Sequence, residues 1–172
     1  MLSKQEIENY FIAEKSASLL FLIIGITGVI LSAVFFFGMK SSGIKASALP
    51  LLLIGLLQFG VGFTVYSKAD EQRKSNVYAF DMNPDQLKQL EVPRMRKVVR
   101  NFVIFRWIEI TGVLAGIILI WYSQNHPYHI NLIGVGLVVF IESILALGAD
   151  HIASQRAEFY LQQLDAFAKK TG

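Results

Sequence analysis

The sequence predicts an all-α integral membrane protein: a bundle of four transmembrane helices, both termini inside, with amphipathic helical extensions on the cytoplasmic side. Three observations predict it. Of 172 residues, 53% are hydrophobic and 17% charged, with a mean hydropathy of +0.48, and a soluble domain of this length has no core large enough to hide that share. Four apolar blocks hold the excess, at 17–37, 47–66, 101–122 and 129–149. Each is close to the ~20 helical residues that cross a hydrocarbon core of ~30 Å. Thirteen of the sixteen Lys and Arg lie in the segments on the N-terminal side of these blocks, against Lys40 and Lys45 on the other, so the chain is oriented N-in and C-in.

The same numbers bound the function. The net charge of +3 is this topology signal, so no nucleic-acid partner is expected. The chain has no cysteine, which removes disulfides, thiol catalysis and cysteine-bound metal. No cleavable leader is expected either, because the stretch before the first block, SKQEIENYFIAEKS, carries three acids in place of a short basic run.

Along the chain, Ser3 and Glu6 match the S-x-x-E capping box, which starts a helix that runs into the first span. A short Gly/Ser-rich loop, with Pro50 near the start of the next block, leads into the second span. Residues 67–100 form a cytoplasmic helical segment. Within it Asn83, Pro84 and Asp85 read as an N-cap, a first-turn proline and a first-turn acid. Pro93 is expected to stop that short helix and begin the one entering the third span. Asp81, Asn83 and Asp85 imitate the opening of a calcium loop, but Gln86 and Val92 occupy the positions that need Gly and Glu, so calcium is excluded.

The second outer loop is uncharged. Trp121, Tyr122 and Tyr128 suit the headgroup level, and His126 and His129 lack a third partner for a metal. Beyond the fourth span, residues 150–170 continue as a cytoplasmic helix. Its stripe of Ala153, Ala157, Tyr160, Leu164 and Ala168 is expected to pack on the central cytoplasmic segment or on another subunit. Ile26-Thr27-Gly28-Val29 recurs as Ile110-Thr111-Gly112-Val113, and Gln58 falls on Glu142 at the same offset, the pattern of two helical hairpins repeated in parallel.

The chemistry concentrates in the spans. Arg106 and Glu109 in the third and Glu142 in the fourth are charges at membrane depth, where each is costly unless paired. Counted from the span ends, both acids lie about 10 Å from the cytoplasmic face, with Gln58 slightly deeper, so the four form one intramembrane polar cluster. Two acids against one base leave a carboxyl that needs a proton, a cation or a partner's base. Small residues mark the helix-packing faces: Gly25 and Gly28, Gly55 and Gly62, and the G-x-x-x-G step of Gly112 and Gly116. Below the third span, Arg94, Arg96, Lys97 and Arg100 form a basic run suited to anionic lipid or an acidic partner.

No catalytic residue, metal site or cofactor site is expected, because the chain lacks a nucleophile–base pair, a phosphate loop, an H-E-x-x-H step and a haem or quinone ligand set. An enzyme therefore has no support in the residues. The reading that remains is a small non-catalytic protein of the cell (inner) membrane. It recognises a partner membrane protein, as an accessory subunit or toxin-immunity protein does, or forms a homo-oligomer. The alternative is a proton, cation or small-solute pathway through an oligomer, using Arg106, Glu109 and Glu142.

Overall fold

The structure, a computed structural model, describes residues 2–170. It is all-helical, with no strand among the described residues, and four of its helices are long and apolar enough to cross a membrane. Helix α1 spans Lys4–Gly38 and α2 spans Ser42–Met82. A short turn, α3 (Pro84–Gln86), and a π-helical segment, Leu87–Glu91, lead into α4 (Val92–Asn125). A 3-10 turn at Pro127–His129 joins α4 to α5 (Leu132–Lys170).

These helices are about twice the length a bilayer needs, since 41 residues rise about 60 Å. The surplus is where the chain packs most tightly. The start of α1, the end of α2, the π segment, the start of α4 and the end of α5 gather at one end into a helical head. Its core is Ile7, Phe11, Ala79, Leu87, Met95, Tyr160 and Leu164. Ion pairs from Lys4 to Asp81 at 2.5 Å and from Arg96 to Asp165 at 2.8 Å tie its helices together. The Ala157, Tyr160 and Leu164 stripe of α5 therefore meets α1 and the central segment of the same chain. Through the apolar blocks, in contrast, most large side chains point outward, Trp107, Ile108, Ile118 and Trp121 of α4 among them.

Local signals explain most boundaries. Ser3 caps α1, its hydroxyl accepting from the Glu6 amide at 3.2 Å. Of the two prolines, only Pro93 differs from expectation. Pro50 lies inside α2, which already starts at Ser42. Pro93 does not stop a helix. It has no N–H for the carbonyl four residues back, and the chain widens just before it, with Val92 N–H reaching Leu87 O. Helical structure thus runs from Pro84 to Asn125. Asp81 and Asp85 are engaged by Lys4 and Lys88 respectively.

The four long helices form two hairpins. In the α1–α2 hairpin, backbones touch. A Cβ on Gly25 would lie 2.7 Å from Gly55 O, one on Gly28 would lie 3.4 Å from Gly55 Cα, and one on Gly62 would lie 2.8 Å from Ser18 O. Ser32 donates to Ala48 O at 2.7 Å near the turn. In the α4–α5 hairpin, Gly116 and Gly136 pack against each other, and Gly112 faces Ser143. The hairpins join along α2 and α5, which run in the same direction: Ser42 meets Asn131 at 2.5 Å and Gln58 meets Glu142 at 2.9 Å.

Candidate functional site

All six glycines of the predicted packing faces stand at these contacts, because a helix presenting no Cβ lets its neighbour's backbone approach to van der Waals distance. That approach brings the polar residues of the spans together, but not as one cluster. Gln58 Nε2 donates to Glu142 Oε2 at 2.9 Å across the α2–α5 contact. Glu109 instead turns toward Asp150, the two carboxyls lying within hydrogen-bonding reach, and Glu109 Oε2 is left with no partner. Asp150 and Glu142 are eight residues apart on α5, about 12 Å along the axis. The expectation that Glu109 and Glu142 share a level is therefore corrected.

The physical reason is register. Depth measured from the ends of the apolar blocks ignores where the hairpin turns. Counted from the turn at Pro127–His129, Glu109 lies 18 residues before it and Asp150 21 after it, against 13 for Glu142, so Asp150 is the nearer match in an antiparallel pair. Where the turn falls is set by the fold, and Asp150 lies just outside the fourth apolar block. Arg106 also departs from expectation. It makes no ion pair with Glu109 or Glu142, and its Nη2 reaches Ser154 Oγ at 3.3 Å, one turn beyond Asp150 toward the head. Its charge is still felt by Glu109. A long side chain that stretches toward the polar end in this way is snorkelling.

Two facing carboxyls repel when both are ionised, so a proton or a cation between them favours the contact. Gln58 gives Glu142 a hydrogen-bond donor, although a neutral amide supplies no counter-charge. The apolar segments thus hold one amide–carboxyl pair, and at their edge one carboxyl–carboxyl pair.

The basic run divides. Arg94 faces inward and grips Glu91 with two bonds, both 2.7 Å, with its guanidinium 5.5 Å from the Phe11 ring. Glu91 is 4% exposed. Arg96, Lys97 and Arg100 are exposed and line one groove with Pro93, and Arg96 there also pairs with Asp165. The difference follows from helix geometry: Arg94 sits on the face that carries Met95 and the core, while 93, 96, 97 and 100 recur at i, i+3, i+4 and i+7 on the other.

Beside Arg94 the head holds more buried polarity that sequence reasoning missed. Tyr10 donates to Glu14 at 3.2 Å and stacks on Tyr160, with ring centroids 4.2 Å apart. Burial pushes the Glu14 carboxyl above its ordinary range, opposed by the Arg94 charge and the Tyr10 hydrogen bond. Burial likewise raises both phenols, with Glu14 adding to the effect at Tyr10 and Glu91 at Tyr160. The α5 stripe marked Tyr160 as a packing residue, but no pattern in the sequence marks Tyr10 or Glu14 as its neighbours, because they meet across helices.

On the other side, His126 and His129 stand 6.5 Å apart, each ring near Tyr122. Among the described residues no group of three or more His, Asp or Glu is placed to hold a metal ion. The chain matches no protein-family model, no curated protein and no solved structure, so the reading of function rests on this geometry.

Proposed function

We propose that the protein is a small non-catalytic membrane protein, N-in and C-in, whose cytoplasmic head recognises a partner membrane protein. The observation that carries this is the division of labour along the helices. Each long helix continues well past its apolar block, and the continuations build a head with its own core. A pure anchor or pore needs no such structure. The head sits on the side with thirteen of the sixteen basic residues, which supports a cytoplasmic placement. Purification from native membranes in mild detergent tests the reading. One stoichiometric partner is expected, and a chain that emerges alone or only as a homo-oligomer sinks it.

The facing carboxyls of Glu109 and Asp150 favour a second reading, a proton or cation pathway in which this pair is the titrating site. In proteoliposomes that reading demands a flux that drops in Glu109→Gln and Asp150→Asn. Absence of flux in the wild type ends it. The pathway reading is the weaker, because Glu142, hydrogen-bonded to Gln58, stands about 12 Å from Asp150 along the helix and does not extend the pair.

The meeting of Gln58 with Glu142 also supports a parallel repeat, since the two residues are separated by the offset that relates the Ile-Thr-Gly-Val motifs. Exchanging them, as Gln58→Glu with Glu142→Gln, then preserves the wild-type melting temperature. A clear drop argues against the symmetry.

A further inference from the structure

Where α4 leaves the head and enters its apolar block, one face of the helix stays uncovered. Pro93, Arg96, Lys97 and Arg100, all exposed, line a groove of about 370 Å3 there. Arg96 is engaged with Asp165 at 2.8 Å. Among the described residues, Lys97 and Arg100 have no ion-pair or hydrogen-bond partner, and Asp165 is the one acid in ion-pair reach of the groove. The groove thus carries two unbalanced positive charges one helical turn apart.

The helical rise sets the level of these charges. Arg100 directly precedes the apolar block 101–122, and Lys97 and Arg96 lie about 4.5 Å and about 6 Å further out. The polar layer between hydrocarbon and water is about 5–8 Å thick on each side of a bilayer, so all three cations stand at the depth of lipid phosphates. The face does not end there. Steps of three and four residues from Arg100 lead to Val103, Ile104 and Trp107, each exposed, Trp107 by 66%. The rest of the chain leaves these side chains open, and in a bilayer they meet acyl chains.

One strip of α4 therefore presents cations at headgroup level and, continuous with them, an apolar surface at chain level. A phospholipid has its parts in that same order. An acidic peptide arriving from water would match the charges and leave the apolar strip unused. We infer that this strip is a binding site for one anionic phospholipid. Lys97 and Arg100 hold its headgroup phosphate with Arg96 beside them, and an acyl chain lies along Val103, Ile104 and Trp107. The inference needs the apolar blocks to lie in a bilayer and needs no protein partner.

Trp107 reports on the site. The chain has two tryptophans, so Trp107 is the sole one in the full chain carrying Trp121→Phe. That protein is reconstituted in phosphatidylcholine bilayers, and phosphatidylcholine or phosphatidylglycerol with brominated acyl chains is added to equal mole fraction. Brominated phosphatidylglycerol is expected to quench Trp107 as though enriched about tenfold beside it relative to brominated phosphatidylcholine. Lys97→Gln with Arg100→Gln, both surface changes, cuts that preference to about twofold or less. Lys68→Gln removes an exposed charge just past the end of the second apolar block and leaves the preference intact. Equal quenching by the two lipids, a preference retained in the double variant, or the same loss in Lys68→Gln overturns the inference, the last because surface charge in general then suffices. Recovery of Trp107 fluorescence on adding micromolar inorganic phosphate or a glutamate hexapeptide also overturns it, assigning the cations to a free anion or an acidic protein segment. Protein that fails to float with the vesicles overturns the membrane reading, and the inference with it.

Discussion

Gln58 and Glu142 meet across the contact between the two hairpins, the amide of one donating to the carboxylate of the other at 2.9 Å. Among the described residues they are the one polar pair that joins α2 to α5 within the apolar blocks. Replacing only the donor leaves an acceptor in an apolar setting. Gln58→Leu is therefore expected to destabilise the protein by about 1–3 kcal/mol. Joining it to Glu142→Leu removes both partners and restores most of the loss. Thermal unfolding of the single and double variants in detergent checks this. A double variant no more stable than Gln58→Leu refutes it.

Glycine substitutions should separate by what surrounds them. A Cβ on Gly25 meets the backbone of Gly55 and Phe59, which has no freedom to move aside. Gly25→Ala is expected to cost about 1–3 kcal/mol by forcing α1 from α2. Gly60, on the same helix as Gly55, has nothing within 4 Å of that position. Gly60→Ala is expected to be neutral or to stabilise by up to about 1 kcal/mol, because alanine favours the helix. Equal melting temperatures for the two variants would contradict the packing.

The neighbouring arginines Arg94 and Arg96 also invite comparison. Arg94→Ala strands the buried Glu91 carboxylate and is expected to cost about 3–5 kcal/mol. Arg96→Ala breaks an exposed pair with Asp165, worth about 0–1 kcal/mol. Denaturant titration of both variants distinguishes them, and a similar loss in each means that Glu91 is not the buried group the structure makes it.

Stability of the head should depend on pH through Glu14. Burial raises its pKa above the ordinary 4.5, so in the window upward from that value the folded chain keeps a proton that the unfolded chain releases. Folded protein then binds more protons than unfolded, and stability falls as pH rises through the window. Glu14→Gln keeps an acceptor for the Tyr10 hydroxyl and removes the titration. It is expected to flatten this decline and to raise stability at neutral pH. Melting temperatures between about pH 4 and about pH 8 decide the matter, and a variant with the wild-type slope excludes Glu14 as the cause.

The sequence by itself determined the class of the molecule. Length and apolarity of the four blocks dictate four helices that can span, because a backbone in lipid must satisfy its hydrogen bonds within the helix. The glycines that let those helices approach were legible for the same reason, since their spacing follows the helical period along one chain. Tertiary structure decided everything that depends on register between helices. It gave Glu109 to Asp150 and Gln58 to Glu142, turned Arg94 inward while Arg96 faced out, and let the chain pass Pro93 without a break. It also joined Glu6 to Gln163, residues near opposite ends of the sequence. Periodicity tells which residues share a face of one helix. Which face of another helix they meet is set by turn geometry and by backbone contact at glycine, and neither is written in any single segment.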